Sequence, residues 1–532
     1  MTSEGPLHAD GGPSAGERWL TLGIAAFLSV VSILLAGRLG FHFEDLSIPF
    51  DGGYRVAIGQ RPFVDFVAPI GPVLFLQQGL LFRLFGVGHG VFLLHAMLLG
   101  TLASWVVWSM ARRWGRGPAA AAGLATVAWF YLPPAAPYID TNAFFWSLLA
   151  LAALWRGLLE PGSPRGLTPF ALAGLCAGLA FLSKQNLGGL AIGGLAVLVL
   201  WVHRRAAPLL VFAASALAPL GLLTFWAWSQ GTGDLLTTYF WQVPLESGRL
   251  KYLVPWSGRM VIKALRPELV DSTFGYLAGK ALRELAVYAL ALVLGWRALR
   301  GPRADRALAL TAAFLLVFQQ WGFNTSNNDE VLYWPFAGLL LACLGHLARE
   351  TLHCRWRRGV AIGAVVLVVL GGLWVGFSRQ VHSLKPWNLG PALDHPRLDG
   401  LKLYPREGQE LTRLLAVLER EVPADERLFV LGHSTLIYAA ADRPPPQPLL
   451  WFRAGVSYSA NDGATDRRIA QALQANDVRW IVLDRTGADE LLGDFPQLAD
   501  WVETAFQPTA HDLGDYRLLH RVATSPQRQS PP

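Results

Sequence analysis

Phe41 to Gly71 reads F-H-F-E-D-L-S-I-P-F-D-G-G-Y-R-V-A-I-G-Q-R-P-F-V-D-F-V-A-P-I-G. Four carboxylates fall here, Glu44, Asp45, Asp51 and Asp65, between long segments that carry almost no charge. Ionised side chains held against a bilayer are costly and mark functional positions. The reading of the whole chain turns on whether the flanking segments cross a membrane.

They have the composition for it. Of 532 residues, 53% are hydrophobic and only 16% are charged, where an ordinary soluble domain has about 25% charged residues. Apolar runs recur, each about long enough to cross the hydrocarbon core as a helix. Several of the 21 tryptophans fall near the ends of these runs, where indoles anchor a helix at the interface. The net charge of +7 comes largely from arginines in short loops, a pattern of membrane topology rather than of nucleic-acid binding. The three cysteines, Cys176, Cys343 and Cys354, have no metal-ligand spacing and form no disulfide framework.

Residues 1–18 form a polar tail rich in glycine and serine. The run 19–39 is too long for a signal-peptide core and reads as an uncleaved first membrane helix. The next apolar run, Pro72 to Phe85, is short and contains Gln77, Gln78 and Arg83, which suits an interfacial helix rather than a span. Loop charge supports that choice. With the N-terminus cytoplasmic and 72–85 not crossing, Arg112, Arg113, Arg116, Arg156, Arg165, Arg204, Arg205, Arg297, Arg300, Arg303, Arg306, Arg349, Arg355, Arg357 and Arg358 all fall inside. The outer turns Tyr131–Thr141 and Trp321–Val331 hold no positive charge.

The expected fold is therefore mostly α: a polytopic helical membrane protein of about eleven spans. They lie near 19–39, 89–111, 118–134, 141–157, 167–183, 187–203, 207–229, 281–299, 305–321, 331–348 and 358–377. The membrane domain covers 19–378, with a first outer loop at 40–72 and a long, aromatic outer loop at 230–280 expected to pack near the interface. From residue 379 to 523, E-R-L-F-V-L-G-H-S and V-R-W-I-V-L-D-R read as buried strands alternating with helices. This predicts a small C-terminal extracytoplasmic α/β domain with a parallel sheet, followed by a loose tail at 524–532.

Under this topology several polar groups share the outer boundary: the four acids of the first loop, Asp140 in P-Y-I-D-T-N, Lys184, Gln185 and Asn186 in F-L-S-K-Q-N, and Asn324, Asn327, Asn328, Asp329 and Glu330. Each acid has an ordinary alternative as a helix cap or a solvated loop residue. Lys184 is the lone cation of its short outer turn and suits a lipid phosphate, with snorkelling to the headgroups as its alternative. G-H-S-T-L at 432–436 follows a strand but lacks the closing glycine of a nucleophile elbow.

D-G-G-Y-R-V-A-I-G-Q-R-P-F-V-D-F, continued by I-G-P-V-L-F-L-Q-Q-G-L-L-F-R-L-F-G, resembles the first outer loop of GT-C membrane glycosyltransferases. These include the protein O-mannosyltransferases and the aminoarabinose transferases of lipid A. G-L-A-F-L-S-K-Q and P-Y-I-D-T-N are similar to later segments of that superfamily. The resemblance implies an inverting transfer of a sugar from a polyprenyl-phosphate donor to an acceptor hydroxyl on a lipid, glycan or protein. It further implies a multi-pass protein of the bacterial plasma membrane. Asp51 would be the base, Lys184 and Gln185 the phosphate contacts, and Asp140 a group positioning the acceptor or the base. Tyr54, Asp65, Gly71 and Pro72 would hold the loop. Asp51 is followed by Gly52, where the superfamily usually has Glu; the acidic pair stands earlier, so Glu44 and Asp45 are alternative bases. The first-loop acids with Asp140 also offer oxygens to Mg²⁺ or Mn²⁺. Two other classes stay open: a non-catalytic polyprenyl-lipid-binding protein, and a transporter of a lipid-linked sugar, although no internal repeat is visible.

Overall fold

The apolar runs are hydrophobic around most of their circumference, so each closes its backbone hydrogen bonds as a helix. The computed structural model describes residues 14–159, 166–246, 256–265, 273–300, 303–326, 333–348, 354–378, 385–454, 456–458, 463–484 and 487–522. Each of the eleven expected segments is helical over most of its described length. Nine helices up to residue 229 build the site: α1 (Ala15–Gly37), α2 (Phe43–Ala57), α3 (Val73–Phe85), α4 (His89–Ala111), α5 (Arg116–Trp129), α6 (Ile139–Leu159), α7 (Thr168–Phe181), α8 (Gln185–His203) and α9 (Ala206–Ser229). Among the described residues, five helices are long and apolar enough to cross a membrane: α1, α4 with its following turn, α8, α9 and Gly359–Phe377.

Helix α9 shows how the bundle is sided. Phe212, Ala216, Pro219, Leu223 and Ala227 are buried, while Leu217, Leu222, Phe225 and Trp228 are exposed. Such an apolar outer face is stable only against lipid. Its inner face meets α7 closely. A Cβ at Gly174 would strike the Phe212 carbonyl, and one at Gly178 the Ala216 carbonyl. This small-xxx-small stripe lets two backbones touch and fixes α7, whose end carries the turn to Lys184.

The first outer stretch is not a loop. Its middle forms α2, despite Pro49 within the helix and the Gly52–Gly53 pair. Tertiary packing overrides weak helix propensity here. A Cβ at Gly52 would enter the Phe75 ring, and one at Gly53 the Gln78 side chain, so the glycines allow α3 to lie flat on α2. Leu46 to Val56 are all buried. Asp51 accepts from Arg55 Nε at 3.1 Å, one turn on, and both side chains are fully buried. Arg55 Nη1 donates to the Gln447 carbonyl at 2.9 Å, and its guanidinium lies 5.5 and 5.8 Å from the Phe66 and Tyr438 rings. Asp51 was expected to be the base. In the structure it is a fully buried partner of Arg55.

The expected short helix after residue 72 is α3, and the expected loop at 230–280 is largely helical where it is described. Gly233–Leu235, π-helical Leu236–Gln242 and Val243–Glu246 run on as one helical stretch. Tyr239 and Phe240 are buried, with Phe240 packed edge-on against Phe63. Within 256–280, Trp256–Leu265 is helical and Phe274 opens the next long helix. Residues 247–255 and 266–272 lie outside the described residues.

The C-terminal sheet has four strands, β1 (Arg427–Leu431), β2 (Val478–Asp484), β3 (Phe506–Pro508) and β4 (Tyr516–Arg521), in the order β1-β2-β4-β3. Only β1 and β2 are parallel; β4 is antiparallel to both its neighbours. This corrects the expected parallel sheet. The connection from β3 to β4 is too short for a crossover, which needs a dozen or more residues, so the chain can only turn back. Backbone bonds dock this unit on the first outer stretch. Val67 N–H donates to the Pro448 carbonyl at 2.7 Å, Leu450 N–H to Val67 at 3.0 Å, and Lys402 N–H to Arg38 at 2.9 Å.

Burial lifts the Asp51 carboxyl to about 6 against the pull of Arg55, so the pair is still ionic at neutral pH. Asp51→Asn leaves a buried guanidinium without its counter-ion, and breaking such a pair costs about 3–5 kcal/mol. Thermal unfolding of the purified protein should show this loss, and Asp51→Asn combined with Arg55→Met should recover much of it.

Candidate active site

Three helix starts supply the site. His42 caps α2: its Nδ1 accepts from the Asp45 N–H at 3.3 Å. Glu44 and Asp45 thereby fall in the first turn, where carboxylates complement the helix dipole. Asp140 stands in the first turn of α6. Lys184 holds the cap position of α8 in an extended conformation, φ −154°. Lys184 Nζ is ion-paired with an Asp140 carboxylate oxygen, and the two side chains are 17% and 7% exposed. Asp45 lies within electrostatic reach of both, and of His42 and His433.

The turn carrying Lys184 is bolted to the first outer stretch. Gly71 sits so close to the Leu182 backbone that a Cβ would overlap it, and Pro72 opens α3 at its cap position. Gln185 Nε2 donates to the carbonyls of Pro69 at 2.9 Å and Phe240 at 3.1 Å. Gln185 was expected at the donor phosphate. Both its side-chain hydrogens are instead engaged by backbone, so it ties two outer segments together. The start of α6 is held by Thr141, whose hydroxyl lies 2.7 Å from Tyr333 OH, while Tyr333 donates to the Phe130 carbonyl at 2.6 Å.

The remaining first-stretch residues are placed as follows. Glu44 is ion-paired with Arg453 of the C-terminal unit. Asp65 Oδ2 accepts from the Arg61 N–H at 2.7 Å and from its Nε at 3.1 Å, closing the turn. Tyr54 OH donates to Asp442 at 3.2 Å, and Asp442 is paired with Arg397 at 2.8 Å. Asn324's side chain and Asn327 to Glu330 lie outside the described residues.

Asp45 stands apart. Of Glu44, Asp45, Asp51, Asp65 and Asp140, the other four each hold an Arg or Lys. Asp45 has only His42, with 3.5 Å between His42 Nδ1 and Asp45 Oδ2. Its side chain keeps 28% exposure. Desolvation pushes its carboxyl up; Asp140 adds to this, and His42, Lys184 and His433 pull the other way.

His42, His433 and Arg453 were not singled out as site residues from the sequence. His42 had a legible signal, since it stands three residues before Asp45 at a helix start. His433 lies in the G-H-S-T-L turn. There Ser434 is buried and donates its Oγ hydrogen to Asp484 Oδ2 at 2.6 Å; His433 is within electrostatic reach of Asp45. Among the described residues no three His, Cys, Asp or Glu side chains form a metal-holding group.

Residues 68–228 match the family model described as dolichyl-phosphate-mannose-protein mannosyltransferase. No curated protein matches the chain in sequence. In fold, the chain is similar to ArnT from Cupriavidus metallidurans bound to undecaprenyl phosphate. The TM-score is 0.52 at 15% identity, covering 96% of this chain and 99% of that one. The Archaeoglobus fulgidus oligosaccharyltransferase, in complex with Zn and sulfate, aligns with a TM-score of 0.49 at 14% identity, over 92% of this chain and 71% of that one. In sequence over residues 68–228, and in its fold, the chain resembles the GT-C membrane glycosyltransferases.

Proposed function

We propose that this protein is a membrane glycosyltransferase that moves a sugar from a polyprenyl-phosphate donor to an acceptor hydroxyl, with Asp45 as the general base. The observation that carries the assignment of the base is the pairing pattern. Four acids near the site are neutralised by Arg or Lys, and Asp45 alone is not. A base needs a lone pair free to take a proton and a pKa drawn towards the working pH. Asp45 has both properties, whereas Asp140 is committed to an ion pair with Lys184. The donor class is supported by the mannosyltransferase match over 68–228 and by the undecaprenyl phosphate bound to the similar ArnT structure.

In the proposed reaction the acceptor O–H gives its proton to Asp45. The oxygen attacks the anomeric carbon, the bond from that carbon to the phosphate oxygen breaks, and polyprenyl phosphate leaves with the electron pair. Attack opposite the leaving group inverts the anomeric centre. Lys184 has three N–H donors, so it can keep Asp140 on one and offer another to the phosphate. Asp140 then fixes the ammonium in place. The converging starts of α2, α6 and α8 add positive partial charge where the phosphate charge grows. In this reading the bundle crosses a bacterial plasma membrane eleven times, with the N-terminus cytoplasmic. Residues 379–523 form an outer domain that roofs the site through His433 and Arg453.

The test uses the protein in bilayer nanodiscs, with labelled polyprenyl-phosphate sugars and an envelope extract supplying acceptors, and follows release of polyprenyl phosphate. Asp45→Asn should lower turnover about 10²–10⁴-fold while melting like the wild type. Turnover that survives in Asp45→Asn would sink the assignment of the base. Donor binding with no turnover by the wild type would favour a lipid-binding protein or a transporter.

The pH dependence follows from the same group. Asp45 must be ionised to accept a proton, and its pKa is raised above the ordinary 3.8. The rate should therefore fall as pH drops through that raised value, so the acid limb of kcat/KM lies above the usual carboxylate range. Lys184→Ala removes a charged hydrogen bond, worth about 1.5–3 kcal/mol, and should raise the donor KM about 10–100-fold with a smaller effect on acceptor KM.

A further inference from the structure

A cavity of about 390 Å³ lies among Trp105, Met110, Trp155, Gly157, Phe170 and His203. All six stand at the helix ends remote from the site. Helix α6 begins beside Asp140 and reaches Gly157 about five turns later; α8 begins just after Lys184 and ends at His203. At 1.5 Å per residue each path is on the order of 25–30 Å, close to the thickness of the hydrocarbon core. The cavity therefore belongs to the opposite leaflet from Asp45, Asp140 and Lys184.

Its walls are two indoles, a thioether and a benzene ring, with no carboxylate among the lining residues. The His203 ring packs edge-on against Phe170, 4.9 Å between centroids. The Ser109 hydroxyl at the rim donates to the Trp105 carbonyl at 2.8 Å. Ser109 is exposed, and Trp105 and His203 are half-buried, so the cavity is open. Directly after His203, Arg204 ends α8 in the left-handed conformation, φ 50°, and Arg205 caps α9. Both arginines are exposed, and neither has an ion-pair partner among the described residues. Apolar walls at hydrocarbon depth reject a polar solute. Two arginines beside them, with no acid among the described lining residues, favour an anionic headgroup.

We propose that this cavity holds an acyl chain of one anionic phospholipid, with its phosphate on Arg204 and Arg205. The site is built by the bundle alone and does not depend on sugar transfer.

The test titrates the full-length protein in a neutral detergent with phosphatidylglycerol and with phosphatidylcholine of the same chains. Native mass spectrometry counts the lipid retained, and melting is followed in parallel. The wild type should keep one phosphatidylglycerol about tenfold more tightly than phosphatidylcholine. A Cβ at Gly157 meets nothing nearer than the His203 ring at 3.7 Å, so Gly157→Phe fills the cavity from its own wall and should release both lipids. Arg204→Gln with Arg205→Gln should lower phosphatidylglycerol affinity to that of phosphatidylcholine, and it decides the matter alone if Gly157→Phe does not fold. Equal retention of the two lipids by the wild type overturns the proposal, as does undiminished phosphatidylglycerol binding in either folded variant.

Discussion

Charge against an apolar bundle has to be neutralised, and that constraint organises the outer half of this protein. Each paired acid uses its cation to hold a different piece of chain. Asp65 and Arg61 close a turn within the first stretch. Asp51 and Arg55 lock one turn of α2 and, through the Gln447 carbonyl, the C-terminal unit above it. Glu44 reaches Arg453 in that same unit. Asp140 and Lys184 join the start of α6 to the start of α8. Buried pairs of this kind add little net stability over apolar packing, but losing one partner is severe. Their contribution is registry: they fix which helix ends meet.

Much of this arrangement was legible in the sequence. The helices, the shortness of α3 and the placing of Lys184 beside the first loop follow from run length and the isolation of a single lysine. The parts that were not legible share a physical cause. Asp51 and Arg55 are four residues apart, a helical ion-pair spacing, yet Pro49, Gly52 and Gly53 argue locally for a loop. Only the flat contact with Phe75 and Gln78 makes glycine favourable there, and that contact is tertiary. Glu44 and Arg453 are far apart in the chain, and no periodicity connects them. The direction of β4 depends on loop length rather than on strand composition, so alternating strands and helices suggested more parallel pairing than exists.

The same tertiary contacts set the environment of each acid. The resemblance favoured Asp51, which begins the D-G-G-Y segment, but that carboxylate is fully buried against Arg55. Asp45 is less conspicuous, sitting in an acidic pair at a helix start. There the imidazole of His42 serves the backbone N–H of Asp45 as a cap and also faces its carboxylate. A cap residue without a fixed charge keeps the carboxylate oriented without neutralising it.

This has a consequence for the order of events in the proposed reaction. Before a donor arrives, Lys184 is shared between holding Asp140 and lowering the proton affinity of Asp45. A donor phosphate that takes hydrogen bonds from Lys184 brings negative charge next to Asp45 and offsets the pull of the ammonium. Both effects raise the proton affinity of Asp45, so the base strengthens when the leaving group is in place. As the phosphate takes on further charge in the transition state, the proton accepted by Asp45 removes the neighbouring negative charge. Deprotonation of the acceptor and departure of the phosphate therefore favour each other through one lysine, which makes the spacing of Asp45, Lys184 and Asp140 the feature of the outer surface that the chemistry needs most.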